Sequence, residues 1–172
     1  MRPVAAMLFM VATMALVPVH AGAADAGCTI TGTSGDDVLR GTAGVDVICG
    51  LGGADEIRGL AGNDELYGGP GPDVIYGGRG ADRAIGGAAG DVMFSDLGPD
   101  LLVGGPGIDY LFGGKGADVM RAGKGNDGCL NGVDRRPVDA LFGGPGTDRF
   151  DADPGDALSS VEVQTFRCLE GE

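Results

Sequence analysis

The sequence has no tryptophan and only one histidine, His20. A Ser–His or Cys–His nucleophile needs a histidine as its base, and the H-E-x-x-H zinc motif needs two. His20 lies in an N-terminal segment that we expect to be removed, so the mature chain would contain neither arrangement. We therefore predict that the protein is not an enzyme.

Basic residues are also scarce. The chain has 12 Lys and Arg residues against 25 Asp and Glu residues, a formal net charge of −13. Such a chain has little with which to neutralise a phosphate backbone or an anionic membrane surface. We therefore expect no nucleic-acid partner. The excess of carboxylates instead predicts either an expanded chain or one that binds cations.

The longest apolar run lies at the N-terminus. Arg2 precedes an apolar stretch from Val4 to Val19, and Ala21-Gly22-Ala23 follows as a cleavage signal. The run is shorter than the ~20 residues that a membrane-spanning helix needs. This pattern predicts a secretory signal peptide at residues 1–23. We expect a secreted, extracellular protein with no membrane insertion.

Glycine is abundant, at 36 residues, and the order of the sequence is strictly periodic. An aspartate stands at every ninth residue, and the period resumes after a three-residue slip near residue 131. A fixed period of this kind indicates an ordered repeat structure and not a disordered chain. The positions are Asp37, Asp46, Asp55, Asp64, Asp73, Asp82, Asp91, Asp100, Asp109, Asp118, Asp127, Asp139 and Asp148.

Other residues follow the same period. A glycine usually stands two residues before each aspartate, and another stands five before it. An apolar residue usually follows two after it. The clearest copy, residues 68–76, reads G-G-P-G-P-D-V-I-Y. These apolar residues, which we expect to point into the protein core, are Leu39, Ile48, Ile57, Leu66, Ile75, Met93, Leu102, Leu111, Met120, Leu141 and Phe150. Ala84 and Cys129 occupy the same position and are less suited to a core.

The pattern G-G-x-G-x-D-x-U-x resembles the RTX, or hemolysin-type calcium-binding, repeat family. The resemblance covers about 120 residues. It implies an all-β fold, a right-handed parallel β-roll in which six residues form a metal-binding turn and three form a short strand. We expect an N-terminal cap at 24–31, the calcium-binding roll at 32–151 and a C-terminal cap at 152–172.

In such a roll, repeats 18 residues apart stack at a spacing of ~4.8 Å. The aspartates then form two rows, beginning at Asp37 and Asp46, that repel unless cations lie between them. Oxygen ligands without imidazole favour calcium over magnesium. We predict multiple calcium ions held by all thirteen aspartates. The alternative is that the aspartates are merely solvated turn formers.

Three repeats depart from the pattern. Ala89 replaces a glycine in the repeat at 86–94, and Ser95-Asp96 replace Gly-Gly in the repeat at 95–103. The unit at 131–142 carries three extra residues, so Asp139 becomes a ligand only if the insertion loops out. We expect weaker sites in these repeats.

Four cysteines in an exported chain predict two disulfides. Three pairings are open. Closeness in the roll favours Cys28 with Cys49, where residue 28 folds back on the first turns, and Cys129 with Cys168 at the other end.

Bulky outward residues recur every 18 residues at Tyr76, Phe94, Phe112 and Leu130. An exposed apolar stripe of this kind often marks a contact surface. It suggests self-association or a protein partner. The alternatives are that the C-terminal tail covers the stripe or that it is cross-strand packing.

The main function predicted is calcium binding by a roll that needs calcium to fold. The alternative function is an extracellular interaction or adhesion module stiffened by calcium.

Overall fold

The computed structural model describes residues 27–132, 138–152, 156–159 and 163–164, and these residues contain sixteen strands and no helix. The strands are β1 (Ile30–Thr31), β2 (Val38–Arg40), β3 (Val47–Cys49), β4 (Glu56–Ala61), β5 (Glu65–Pro70), β6 (Val74–Arg79), β7 (Arg83–Ala88), β8 (Val92–Leu97), β9 (Leu101–Pro106), β10 (Tyr110–Phe112), β11 (Val119–Lys124), β12 (Cys129–Asn131), β13 (Ala140–Phe142), β14 (Asp148–Asp151), β15 (Ala157–Ser159) and β16 (Val163–Gln164).

The strands alternate between two parallel sheets. Odd-numbered strands form one eight-stranded sheet in chain order, and even-numbered strands form the other. Ile57 of β4 pairs with Ile75 of β6, which pairs with Met93 of β8, so the register advances by 18 residues per layer. The predicted all-β parallel roll is therefore confirmed.

The core is a column of side chains between the two sheets. The middle residue of a three-residue strand points inward because side chains alternate along a strand. Ile75, Met93 and Leu111 are fully buried, and Ala84 is the small member of the other sheet's column. Apart from Cys129, all the inward apolar positions predicted from the sequence belong to this core or pack against it.

Many strands are longer than the three residues expected. The strand β6 continues beyond Tyr76 to Arg79, and its residues Gly78 and Arg79 also pair with β8. The first residues of the next repeat are thus extended and paired with the neighbouring layer before the chain turns. The roll uses part of the glycine-rich segment as strand, which holds successive turns in register.

The assignment of Leu130 as an outward residue is wrong, as is the assignment of Cys129 to the inward column. Leu130 is fully buried and pairs with Leu111, while Cys129 pairs with Tyr110. The cause is one additional residue, Gly128, between Asp127 and the strand. The ring of Tyr110 lies where a Cβ on Gly128 would be, so a side chain there would displace it.

The two sheets continue past Asp151. Leu158 of β15 pairs with Leu141 of β13, and the backbone of β16 pairs with β14. These strands fall inside the segment 152–172 that the sequence predicts to be a cap. The exact boundary between roll and cap stays a prediction.

Candidate metal centres

Hydrogen bonds join the aspartates into two rows. In each row the backbone N–H of one aspartate donates to Oδ1 of the aspartate in the next layer, as from Asp55 to Asp73 at 2.9 Å. One row runs through Asp37, Asp55, Asp73, Asp91, Asp109, Asp127 and Asp148. The other runs through Asp46, Asp64, Asp82, Asp100, Asp118, Asp139 and Asp156.

The predicted aspartates lie in these rows, as expected when repeats 18 residues apart stack on one another. Asp139 accepts the N–H of Asp118, and Asp148 accepts that of Asp127, both across 21 residues. The three-residue slip therefore leaves both aspartates in their rows. Residues 133–137, within the insertion, lie outside the described residues.

Sequence reasoning missed Asp156. Its Oδ1 accepts the N–H of Asp139 at 2.9 Å, which makes it the next member of the second row. Its spacing of 17 residues from Asp139 breaks the nine-residue period. The local signal was the sequence Asp156-Ala157-Leu158, which keeps the apolar residue two positions after the aspartate.

The second carboxylate oxygen of these aspartates has a different environment. Asp73 and Asp91 are at most 1 % exposed, and their Oδ2 atoms are buried without a hydrogen-bond partner. Burying a polar atom in this way costs free energy unless something compensates for it. The same holds for Oδ2 of Asp55, Asp64, Asp82, Asp100, Asp109 and Asp127.

Most of these Oδ2 atoms lie beside a glycine. Those of Asp55, Asp64, Asp73, Asp82 and Asp109 also face a backbone carbonyl across a small space, which we call the cradle. In the repeats of Asp100 and Asp127 the corresponding residue is not glycine but Ser95 and Ala122, respectively. We number the repeat so that its aspartate is position 6 and this glycine position 1. A Cβ on Gly59 would lie 2.6 Å from Oδ2 of Asp64 and 2.6 Å from the carbonyl oxygen of Gly77. Glycine at position 1 therefore leaves room for something that contacts both oxygens.

Burial also controls the ionisation of the aspartates. Loss of solvation raises the pKa of Asp73 to about 6 and the pKa of Asp91 to about 7, well above the ordinary 3.8. The charges of row neighbours raise the pKa further, whereas the N–H bond at Oδ1 lowers it. These carboxylates are thus costly to ionise unless a cation lies beside them.

A metal site in these rows would need ligands from both side chains and backbone. The described part of the chain contains no group of three or more His, Cys, Asp or Glu side chains that could hold a metal ion. A cation in a cradle would instead combine carboxylate oxygens with glycine carbonyls. Hard cations such as calcium accept such sets of oxygens.

Comparison with protein families finds a match to the RTX calcium-binding nonapeptide repeat (4 copies) at residues 29–57, 58–93, 67–102, 94–129 and 139–157. The matched segments cover well over half of the chain. The protein belongs to the RTX calcium-binding nonapeptide repeat family. No curated protein matches it. Membership of the RTX family implies a calcium-binding β-roll.

Of the irregular RTX repeats, the one at 86–94 keeps its geometry. Ala89 adopts a left-handed φ of 94°, and Oδ2 of Asp91 still lies beside Gly86. The repeat at 95–103 differs more, because the side chain of Ser95 occupies position 1. Its hydroxyl donates to the Gly113 carbonyl at 2.5 Å, the carbonyl that would otherwise face Asp100 across the cradle.

One disulfide links the first layers of the RTX roll. Cys28 and Cys49 are bonded, with their Cα atoms 6.0 Å apart, which confirms that predicted pair. Cys129 is not a free thiol. Its predicted partner, Cys168, lies outside the described residues, so that pairing stays a prediction.

Part of the predicted stripe forms an aromatic column on the outer face of the even-numbered sheet. The ring centroids of Tyr76 and Phe94 are 5.2 Å apart, and those of Phe94 and Phe112 are 4.8 Å apart, with near-parallel planes. The guanidinium of Arg58 lies 5.4 Å from the Tyr76 ring centroid. Leu130 does not join this aromatic column, because it is buried and Asn131 pairs with Phe112.

In the part of the chain that the structure describes, no helix is long and apolar enough to cross a membrane.

Proposed function

We propose that the protein is a secreted calcium-binding module whose fold depends on the ions it holds. The observation that carries this proposal is the set of buried Oδ2 atoms without a donor, most of them beside a position-1 glycine. We propose multiple calcium ions in the two rows, with the thirteen predicted aspartates and Asp156 as candidate ligands. No catalytic step is assigned to these carboxylates.

The ligand set fits calcium. Asp64 would supply Oδ2 and Gly77 its carbonyl oxygen, since both border the cradle beside Gly59. Calcium takes six to eight oxygens in flexible geometry, whereas magnesium requires a tighter octahedron and retains water. The ion would neutralise the charge that the buried row otherwise carries.

Calcium-dependent folding follows from the same geometry. Each half-turn buries a single core side chain such as Ile75, while the carboxylate beside it is desolvated. Without a cation, neighbouring carboxylates in a row repel one another in a poorly solvated site. The chelated chain should therefore be largely unfolded, and calcium should restore its sheets.

Far-UV circular dichroism in calcium and in excess EGTA tests this proposal. We expect a β-rich spectrum with calcium and a largely unfolded one with EGTA, restored by calcium but not by the same concentration of magnesium. A spectrum indifferent to EGTA would contradict calcium-dependent folding.

Secretion is supported by the sequence and by the covalent structure. Residues 1–23 have the pattern of a signal peptide, and the Cys28–Cys49 disulfide fits an oxidising, extracellular compartment. We propose that the mature chain begins with a cap at 24–31, followed by the roll at 32–151 and a cap at 152–172. N-terminal sequencing of exported protein checks the cleavage site.

The aromatic column favours a second candidate function, an interaction module that associates with a second copy of itself. Tyr76, Phe94 and Phe112 are spaced by one layer each, so an identical column on another molecule has the same spacing. Stacked aromatic pairs prefer centroid separations of roughly 4.5–7 Å. Sedimentation of wild type and of Phe94→Ser in calcium tests this function, and a wild type that remains monomeric would eliminate it.

A further inference from the structure

In the first two repeats, protein groups donate hydrogen bonds to Oδ2 of the aspartate, which is not so in the repeats of Asp55 and Asp64. Oδ2 of Asp37 accepts the backbone N–H of Thr33 at 2.6 Å and its hydroxyl at 3.0 Å. Oδ2 of Asp46 accepts the N–H of Thr42 at 2.6 Å and its hydroxyl at 2.9 Å. Two protein donors thus bind the oxygen that is left without a partner in Asp55 and Asp64.

The threonine hydroxyls are themselves anchored. The N–H of Gly35 donates to Oγ1 of Thr33, and the N–H of Gly44 donates to Oγ1 of Thr42, both at 3.1 Å. Each hydroxyl therefore accepts one hydrogen bond and donates another to the carboxylate. This closed network needs no cation to balance its hydrogen bonds.

The backbone at position 2 of the repeat differs as well. Thr33 and Thr42 occupy this position without a positive φ. In the next two repeats Leu51 and Leu60 adopt φ of 81° and 84° there, and Gly69 follows with 115°. Non-glycine residues rarely adopt this left-handed conformation. The change of conformation coincides with the first unpartnered Oδ2 atom, that of Asp55.

From these observations we propose that the calcium array begins at Asp55. Asp37 and Asp46, which are candidate ligands by their place in the rows, bind no ion. Thr33 and Thr42 replace the cation in the first two turns. This inference rests on the proposed calcium-binding function. These turns, with the Cys28–Cys49 disulfide beside them, form a metal-independent first part of the roll, on which the calcium-dependent layers stack. They give the first calcium-bound layers a preformed neighbour.

Counting the calcium ions bound to each chain by native mass spectrometry tests the proposal. Asp37→Asn and Asp46→Asn should leave the count of the full chain unchanged. Asp73→Asn and Asp91→Asn make the same chemical change in later repeats. Each should lower the number of bound calcium ions by at least one. A lower count for Asp37→Asn or Asp46→Asn would overturn the proposal. A wild type that binds no calcium would instead refute the proposed function.

A gain of sites provides an independent measurement. The double variant Thr33→Gly/Thr42→Gly removes both hydroxyl donors. It also gives the first two repeats the Gly-Gly start that the repeat at 68–76 has. We expect it to bind up to two more calcium ions than wild type, while Ser34→Gly, an exposed position in the same turn, binds the wild-type number. Equal counts for the double variant and wild type would contradict the role of the threonines.

Discussion

The backbone N–H of Asp73 donates a 2.9 Å hydrogen bond to Oδ1 of Asp91, which lies one layer further along the same row. Oδ2 of Asp91 is buried and has no donor. The two oxygens of one carboxylate therefore have separate tasks. Oδ1 fixes the distance between layers through the backbone, and Oδ2 remains available to a cation.

Replacing Asp91 with asparagine should have opposite effects with and without calcium. In calcium, loss of a charged ligand should lower the free energy of unfolding by about 0.5–3 kcal/mol. In EGTA, the neutral amide should increase the β-sheet content, because no ionised group must be buried. Urea unfolding and circular dichroism measure the two effects.

Asp36→Asn is the matched control for Asp91→Asn. Asp36 is exposed, and its Oδ1 accepts the N–H of Ala54 at 2.8 Å, a bond that an amide oxygen preserves. This control should behave as wild type in both conditions. Identical behaviour of Asp91→Asn and Asp36→Asn would show that Oδ2 of Asp91 has no special role.

Acid should stabilise the calcium-free roll. Burial raises the pKa of Asp73 to about 6 and the pKa of Asp91, Asp100 and Asp127 to about 7. The folded state thus binds protons more tightly than the unfolded state, whose aspartates have an ordinary pKa of about 3.9. The resulting stability is present below pH 4 and is lost as the pH rises through 6 to 7.

Circular dichroism in EGTA at about pH 4.5 and at about pH 8 measures this dependence. We expect more β-sheet at the lower pH, where protons neutralise the rows in place of calcium. Equal spectra, or more sheet at the higher pH, would contradict the raised pKa values.

Ile75→Ala should destabilise the calcium-bound roll strongly. Ile75 is fully buried and stacks between Ile57 and Met93 in the core column. Truncating such a residue typically costs about 2–5 kcal/mol. Val38→Ala is the control, because Val38 is 76 % exposed and its change should stay within about 0.5 kcal/mol. Urea unfolding in calcium compares the two variants, and similar losses would contradict the assignment of the core.

Ser95→Gly should open an additional calcium site. The hydroxyl of Ser95 donates to the Gly113 carbonyl at 2.5 Å, and its side chain occupies the cradle of Asp100. Glycine would free both the space and the carbonyl oxygen. Isothermal titration with calcium should show one more ion per chain than wild type, with Ser34→Gly as control. An unchanged number would mean that Ser95 does not block the site.

The nine-residue period predicted the rows and the core column because stacking depends only on spacing. Residues such as Asp55 and Asp73, 18 apart, necessarily meet in neighbouring layers when every half-turn has the same length. Local insertions break this rule. Gly128 shifts the strand after it by one residue, so Leu130 replaces Cys129 in the core.

Other features depend on turn conformation, which spacing does not determine. Thr33 and Thr42 look like ordinary substitutions in a glycine-rich turn, yet their donors satisfy Asp37 and Asp46. Asp156 departs from the period and still enters its row. In each case side-chain hydrogen bonding decides the role of the residue.

The central claim is that calcium lies between the layers, held by the second carboxylate oxygens. A crystal structure with calcium, with an anomalous difference map that locates the calcium ions, tests this claim most directly. We predict peaks about 2.3–2.6 Å from Oδ2 of aspartates such as Asp64 and Asp73, beside the position-1 glycines. Rows that bind no ion, with calcium found only elsewhere on the surface, would contradict it.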